Sequence, residues 1–393
     1  MTEIINGKII TPNEIIVGKK LLIDNDKIVG IVSGSNKSYD AENTIDANGC
    51  YIMPGIIDVH SDNLEQYVQP RPTSQVDFEF ALKVCERSLL GAGITTMYHS
   101  IALFKDEFFG KSPLRTKENV QKIADLLASI HKRDHLIRHR FHLRVEIDNL
   151  EAFDITRDMI EQGKVHQISF MDHTPGQGQY KDLALYYETV SGHKGREVRE
   201  MNCIDDVLRF HDKKEYLSFD QLNELARLAH ENGLPVASHD DDCEEKLALN
   251  KDIGVDISEF PIALDVAKSA KMRGFYTVVG APNILRGSSH AGNMSAAKAV
   301  LEECADILCS DYYPASILHS VFLMYTKHGV PLPQMVNRAT LNPAKAMKID
   351  KEYGSIESGK KADLLVVDVL DKCPVITHVF VDGRTTSRIE YRR

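Results

Sequence analysis

Eight apolar runs of strand length alternate with amphipathic helical segments through the middle of the chain, and strand-and-turn patterns occupy both ends. Together these predict an α/β fold: a (β/α)8 TIM barrel with a small β-sandwich domain built from both termini. The strands are expected near 55–60, 94–98, 141–147, 167–172, 235–239, 256–260, 275–280 and 306–311. Helical periodicity falls at 79–91, 117–132, 219–232, 243–252, 262–273 and 292–304. Eight such units in series favour a closed barrel over an open doubly wound sheet. At the N-terminus, Ile4-Ile5, Asn6-Gly7, Ile9-Ile10, Leu21-Leu22-Ile23 and Asp24-Asn25-Asp26 carry hairpin signals, and 362–368, 375–381 and Asp382-Gly383 repeat that character. The expected partition is 1–52 for the first part of the sandwich, 53–348 for the barrel and 349–393 for the second part. The polar, Tyr-rich stretch 174–218 is either a lid over the barrel mouth or a disordered excursion.

Charge and composition narrow the function. The 47 Lys and Arg against 57 Asp and Glu leave a net charge of −10, which argues against a nucleic-acid or acidic-membrane partner. No apolar run reaches a membrane span, and the start Met-Thr-Glu lacks a signal-peptide pattern, so a cytoplasmic location is expected. The seven cysteines form no CxxC pair and are odd in number, which fits reduced thiols in apolar packing. Barrel enzymes of this length often pair, so a homodimer is expected.

The ends of the predicted strands carry the chemistry. The run from Tyr51 to Asp62 reads as a buried strand entered through Pro54-Gly55 and ending in His60 and Asp62. Residues two apart on a strand point the same way, which would bring imidazole and carboxylate out together. Later strands end in Glu146, in Asp172-His173, in His239 and in Asp311. In a barrel such ends converge on one mouth. His60, Asp62, Glu146, His173, His239 and Asp311 make three imidazoles and three carboxylates, a set that two dications bridged by Glu146 would neutralise. Nitrogen and oxygen donors suit zinc, taken first, or manganese or iron. The loop 286–293, with Arg286, Ser288, Ser289, His290 and Asn293, leads from the seventh strand toward a helix. Its small residues would offer backbone N–H groups to an anion. Arg71, after the first strand, would add a planar donor.

Other polar clusters take blander readings. Asp240-Asp241-Asp242 is expected at a helix N-terminus, with Asp240 set behind a metal. His131, His135 and His139 lie in a basic, solvated helix end, and His99 is expected in the core.

The run Pro54-Gly55-Ile56-Ile57-Asp58-Val59-His60, the strand-end histidines, Asp311 and Gly359-Lys360-Lys361-Ala362-Asp363-Leu364 resemble the amidohydrolase superfamily. The departures from its commoner pattern are His60-x-Asp62 for His-x-His, and Glu146 in place of a bridging carboxylated lysine. These narrow the resemblance. Asp62-Asn63-Leu64, Pro70-Arg71-Pro72, His142-Leu143-Arg144, the segments 171–177, 238–241, 280–283, 286–293 and 310–316 are similar to one branch. Its members, in carbon–phosphorus lyase metabolism, hydrolyse α-D-ribose 1-methylphosphonate 5-triphosphate to the 5-phosphate and pyrophosphate. The resemblance implies a phosphorylated sugar phosphonate as substrate, contacts from Asn63, Arg71 and the loop 286–293, and Asp311 as the group that takes the nucleophile's proton. The same ligands could instead serve hydrolysis of a C–N bond, as in deaminases or cyclic amidases. A scaffold without catalysis is a third reading, which six competent ligand positions disfavour.

Overall fold

The chain's computed structural model describes residues 1–33, 43–71, 74–103, 115–172, 215–287 and 294–392. The strands of this part begin with β1 (Thr2–Ile5), β2 (Lys8–Ile10), β3 (Ile15–Ile16), β4 (Lys19–Asp24), β5 (Lys27–Ser33), β6 (Thr44–Asp46) and β7 (Tyr51–Pro54). There follow β8 (Ile56–Ser61), β9 (Ile94–Leu103), β10 (Arg138–Glu146), β11 (Gln167–Met171), β12 (Val236–His239), β13 (Ile257–Glu259), β14 (Tyr276–Gly280) and β15 (Ile307–Cys309). The last three are β16 (Leu364–Leu370), β17 (Cys373–Val381) and β18 (Arg384–Arg388).

Strands β8 to β15 lie side by side in chain order, all parallel. The seam between β15 and β8 is closed just past the strand ends. There the Asp311 amide donates to the His60 carbonyl, and the Asp62 amide to that of Asp311, each at 3.0 Å. The eight expected strands are these eight. The expected helices appear at Phe78–Gly91, Lys117–Ile130, Phe219–Glu231, Glu244–Ile253, Leu264–Met272 and Ala296–Leu301. Ser218 opens one of them with a capping box, its hydroxyl accepting from the Gln221 amide. No helix among the described residues is long and apolar enough to cross a membrane. The expected lid, 174–218, lies outside the described residues except for its last four positions.

The termini assemble as expected. One sheet runs β5-β4-β1-β6, and the other runs β18-β17-β16-β7-β2-β3, so β16 from the end of the chain pairs with β7 from its start. The apolar run Leu364-Leu365-Val366-Val367 shows no alternation because both faces of its sheet are covered. Leu364 and Val366 join Ile4, Leu21, Ile52 and Phe380 between the sheets, while Leu365 and Val367 pack with Met53 and Val379 against the barrel. Each such side chain contributes roughly 1.5–3 kcal/mol by leaving water.

The Gly-Lys-Lys-Ala-Asp-Leu segment is explained by the same junction. Asp363 is 6% exposed, its carboxylate is gripped by the Arg138 guanidinium, and its carbonyl accepts from the Gly55 amide at 2.9 Å. Arg138 also pairs with Asp382 and lies over the Tyr353 ring, 4.4 Å from its centroid. Gly55 itself leaves no room for a side chain, since a Cβ there would come within 2.3 Å of Thr95 Oγ1. The six described cysteines are free thiols, with Cys85, Cys304 and Cys309 buried; Cys203 lies outside the described residues.

On the barrel strands β9 and β10, His99 Nε2 and His139 Nδ1 share a hydrogen bond of 2.9 Å, and His139 Nε2 meets Glu86 at 3.2 Å. His131 Nε2 accepts from the His139 amide; His131 and His135 are exposed as expected, but His139 is fully buried on β10 rather than part of a solvated helix end, because both of its ring nitrogens find partners there. Likewise His166 Nδ1 accepts from the Phe141 amide at 3.1 Å. Burial pushes His166 down to about 3, and burial also lowers His99 and His139. A histidine lowered in the folded state stays neutral there, while the unfolded chain takes up its proton near pH 6.5. Its stabilisation is therefore present above that pH and lost below it. For His166 the loss between pH 6.5 and pH 5 is about 2 kcal/mol. Acidification over this range is expected to lower the melting temperature, and His166→Gln, which keeps an acceptor, to flatten that dependence. An equally steep dependence in the variant would exclude His166 as its source.

Candidate metal centre at the barrel mouth

His60 stands at the end of β8, and its position follows from its partners. Its Nδ1 is 3.1 Å from Glu259 Oε2, and Glu259 Oε1 accepts from Gln167 Nε2 at 3.1 Å. A carboxylate only accepts, so Nδ1 carries the proton and Nε2 presents a lone pair. Burial, with the charges of Arg144 and His239 nearby, holds the ring well below its usual range and hence neutral. His239 on β12 repeats the arrangement: its Nδ1 faces Asp240 Oδ2 at 2.7 Å, again leaving Nε2 as acceptor. The two rings are 5.4 Å apart, and Phe260 packs against both at 5.0 Å. His60, His239 and Glu259 each bring a donor atom within 4.8 Å of the others.

Asp240 thus stands behind His239, as expected for it. Its neighbour Asp241 departs from the expected helix cap: it is fully buried and accepts from Ser238, Ser258 and Asn250. The helix begins only at Glu244, with Cys243 before it.

Three carboxylates surround this triple without joining it. Asp311 lies just past β15 in a left-handed conformation, φ 57°, as do Asp240 at 54° and Phe260 at 56° after neighbouring strands. For a phenylalanine this backbone costs of order 1–3 kcal/mol, strain of the kind that clusters at functional sites. A Cβ placed on Gly280 would touch both the Phe260 ring at 3.6 Å and Asp311 Oδ2 at 3.7 Å, so carboxylate and ring face one space. Burial, reinforced by the charge of Asp62, pushes the Asp311 carboxyl up to about 7.

Asp62 reaches the mouth by a route the alternation argument does not supply. β8 is irregular between Asp58 and Ser61, and Asp62 lies beyond it at the N-cap of the helix Asn63–Val68. Its side chain does not cap that helix, and its Oδ1 is buried without a hydrogen-bond partner among the described residues. Burial raises its carboxyl. Glu146, 2% exposed, ends β10, and the Arg115 guanidinium feels both its charge and that of Asp62.

The structure separates the other expected residues. Asn63 is buried with its Oδ1 turned to the Cys85 thiol at 3.7 Å. Arg71 and Arg286 are exposed, Arg71 in a local bridge to Ser74 and Arg286 at the end of the helix Ala281–Arg286. His173, Ser288, Ser289, His290 and Asn293 lie outside the described residues. Glu259 and Arg115 were not singled out from the sequence, and Arg144 entered only within the segment His142-Leu143-Arg144, without a role. Glu259 could have been, as a carboxylate ending the apolar run Ile257-Ser258-Glu259. Neither arginine was given a role there, because nothing local shows that it meets the carboxylates. Their presence also weakens the argument that only a second dication could balance those charges.

Two imidazoles anchored at Nδ1 by carboxylates, the buried carboxylates around them and an Asp62 Oδ1 without a hydrogen-bond partner among the described residues fit a divalent metal ion. The class of protein then follows. The amidohydrolase family profile matches residues 214–386. The chain is 30% identical to the α-D-ribose 1-methylphosphonate 5-triphosphate diphosphatase of Escherichia coli (strain K12), over 96% of this chain and 98% of that protein. The chain belongs to the amidohydrolase superfamily, in the branch of that diphosphatase, and is a hydrolase. It is also 23% identical to an imidazolonepropionase of Picrophilus torridus over 94% of this chain and 93% of that one. Among solved structures, N-acetylglucosamine-6-phosphate deacetylase from Pasteurella multocida superposes with a TM-score of 0.65 at 12% identity, over 97% and 98% of the two chains. That likeness concerns the fold.

Proposed function

We propose that this hydrolase cleaves the triphosphate of α-D-ribose 1-methylphosphonate 5-triphosphate, giving the 5-phosphate and pyrophosphate in phosphonate breakdown. The similarity to the Escherichia coli diphosphatase along nearly the whole chain carries the reading. A mouth lined by imidazoles, carboxylates and guanidinium groups supports it. His60 and His239, through Nε2, with Asp62, Glu146, Asp311 and His173, would hold two divalent ions, zinc before manganese or iron. Held there, such ions supply Lewis acidity and offset charge on phosphoryl oxygens. Glu259 and Asp240 keep the two imidazoles in the tautomer that binding needs. Asp311 takes the proton of the attacking water at the phosphorus nearest the ribose, in line with the departing pyrophosphate. Arg71, Arg286 and the loop 288–293 meet the outer phosphates.

Phosphorus NMR of the metal-loaded protein with this substrate is expected to show equal amounts of pyrophosphate and the 5-phosphate. Orthophosphate alone, or no turnover, would reject the reading. The second reading, hydrolysis of a C–N bond, draws on the similarity to imidazolonepropionase. Turnover of cyclic amides or amines without phosphate chemistry would favour it. Metal analysis of the reconstituted protein is expected to give two equivalents per chain, falling in Asp62→Ala. One equivalent in the wild type would replace the binuclear proposal with a single-ion site.

A further inference from the structure

Arg144 belongs to the inner face of β10, between His142 and Glu146, by the alternation of the strand. His142 marks that face: its ring is 5.2 Å from that of His60, and its nitrogens bond Ser100 and Ser169 inside the barrel. Arg144 is anchored one residue pair higher, its Nε donating to Met171 Sδ at 3.3 Å. It is half-buried.

The arginines nearby show what a satisfied guanidinium looks like here. Arg138, at the closed end of the same strand, is held by Asp363 and Asp382. Arg115 grips Glu65 through Nε at 3.0 and 3.2 Å. Arg144 forms no ion pair within 4.0 Å among the described residues, and its two terminal amino groups have no acceptor there. Yet its charge is felt at the mouth: it opposes the rise that burial imposes on Asp62 and Asp311. A guanidinium fixed at one nitrogen, with its planar fork unengaged beside candidate metal ligands, is arranged for an incoming anion with several oxygens.

We infer that Arg144 is a phosphoryl-binding residue of the active site, taking two oxygens of a phosphoanhydride substrate on its terminal amino groups. The inference rests on the proposed diphosphatase reading and assigns to Arg144 the grip that the exposed Arg71 and Arg286 leave unmet next to the carboxylates. It places that grip on a rigid strand, where a bidentate contact orients phosphorus against the attacking water.

The test uses the metal-loaded wild type, Arg144→Gln and Arg144→Lys. Arg144→Gln is expected to raise KM for the ribose 5-triphosphate phosphonate by about 10- to 100-fold. The inhibition constant of inorganic pyrophosphate should rise in parallel, with bound metal and melting temperature unchanged. Arg144→Lys keeps the charge without the fork and should fall between the two, which also covers a Gln variant that fails to fold. Unchanged KM and pyrophosphate inhibition in either soluble variant would overturn the inference, and so would a loss of metal that accounts for the change. If the wild type releases no pyrophosphate, the diphosphatase reading fails by itself. Calorimetric binding of inorganic pyrophosphate then decides the point: weaker in Arg144→Gln upholds an anion site, equal affinity removes it.

Discussion

Asp311→Asn is expected to slow pyrophosphate release by about 10²- to 10⁴-fold, the usual contribution of a positioned proton acceptor. The substitution removes the acceptor and weakens one of the proposed metal ligands, and it leaves the backbone as it is. Asn matches Asp in shape and tolerates the left-handed backbone at φ 57° that this position requires. The backbone bonds from the Asp311 amide to the His60 carbonyl and from the Asp62 amide to the Asp311 carbonyl do not involve the side chain, so the seam of the barrel stays closed. Without metal, burial and the Asp62 charge push this carboxyl up to about 7; divalent ions held beside it would favour the carboxylate, the form that accepts a proton. Single-turnover rates should be measured beside metal content. A variant that holds the wild-type complement of metal and turns over at the wild-type rate would end the role of Asp311 as base.

Asp363→Ala is expected to destabilise the protein by about 3–5 kcal/mol, as when one partner of a buried ion pair is removed. Asp363 is the pivot between barrel and sandwich. It receives the Arg138 guanidinium and the Asp382 amide on its carboxylate, and the Gly55 amide on its carbonyl. Its loss leaves Arg138, 7% exposed, with Asp382 alone, and that carboxylate is 42% exposed and correspondingly screened. The double variant Arg138→Met/Asp363→Leu should recover much of the loss, because it leaves no buried charge without a partner. Apparent melting temperature and urea midpoint report both effects. A single variant that costs less than about 1 kcal/mol would show that apolar packing alone holds the junction.

The site chemistry should be insensitive to that second change as long as the protein is folded. Asp363 meets the barrel through Gly55 and Arg138, near where β8 and β10 begin, whereas His60 and Glu146 stand where those strands end. The two predictions therefore probe opposite ends of the same two strands.

The amino-acid sequence by itself determined the barrel, the shared sandwich and the strand ends that carry His60, Glu146 and His239, because periodicity and the switch from strand to helix are local properties of a chain. It also placed Asp240 behind His239, since adjacent residues can meet without help from the rest of the fold. Only the tertiary structure decided that Glu259 orients His60 across 199 positions, that Asp62 reaches the mouth from a helix start, and that Asp241 is a buried hub. The same holds for arginine: Arg71 and Arg286 stood out in conspicuous loops, yet Arg115 and Arg144 are the ones whose charge reaches the carboxylates. Charges act through space and at short range, so which of them share a pocket depends on closure of the barrel, which no stretch of sequence contains.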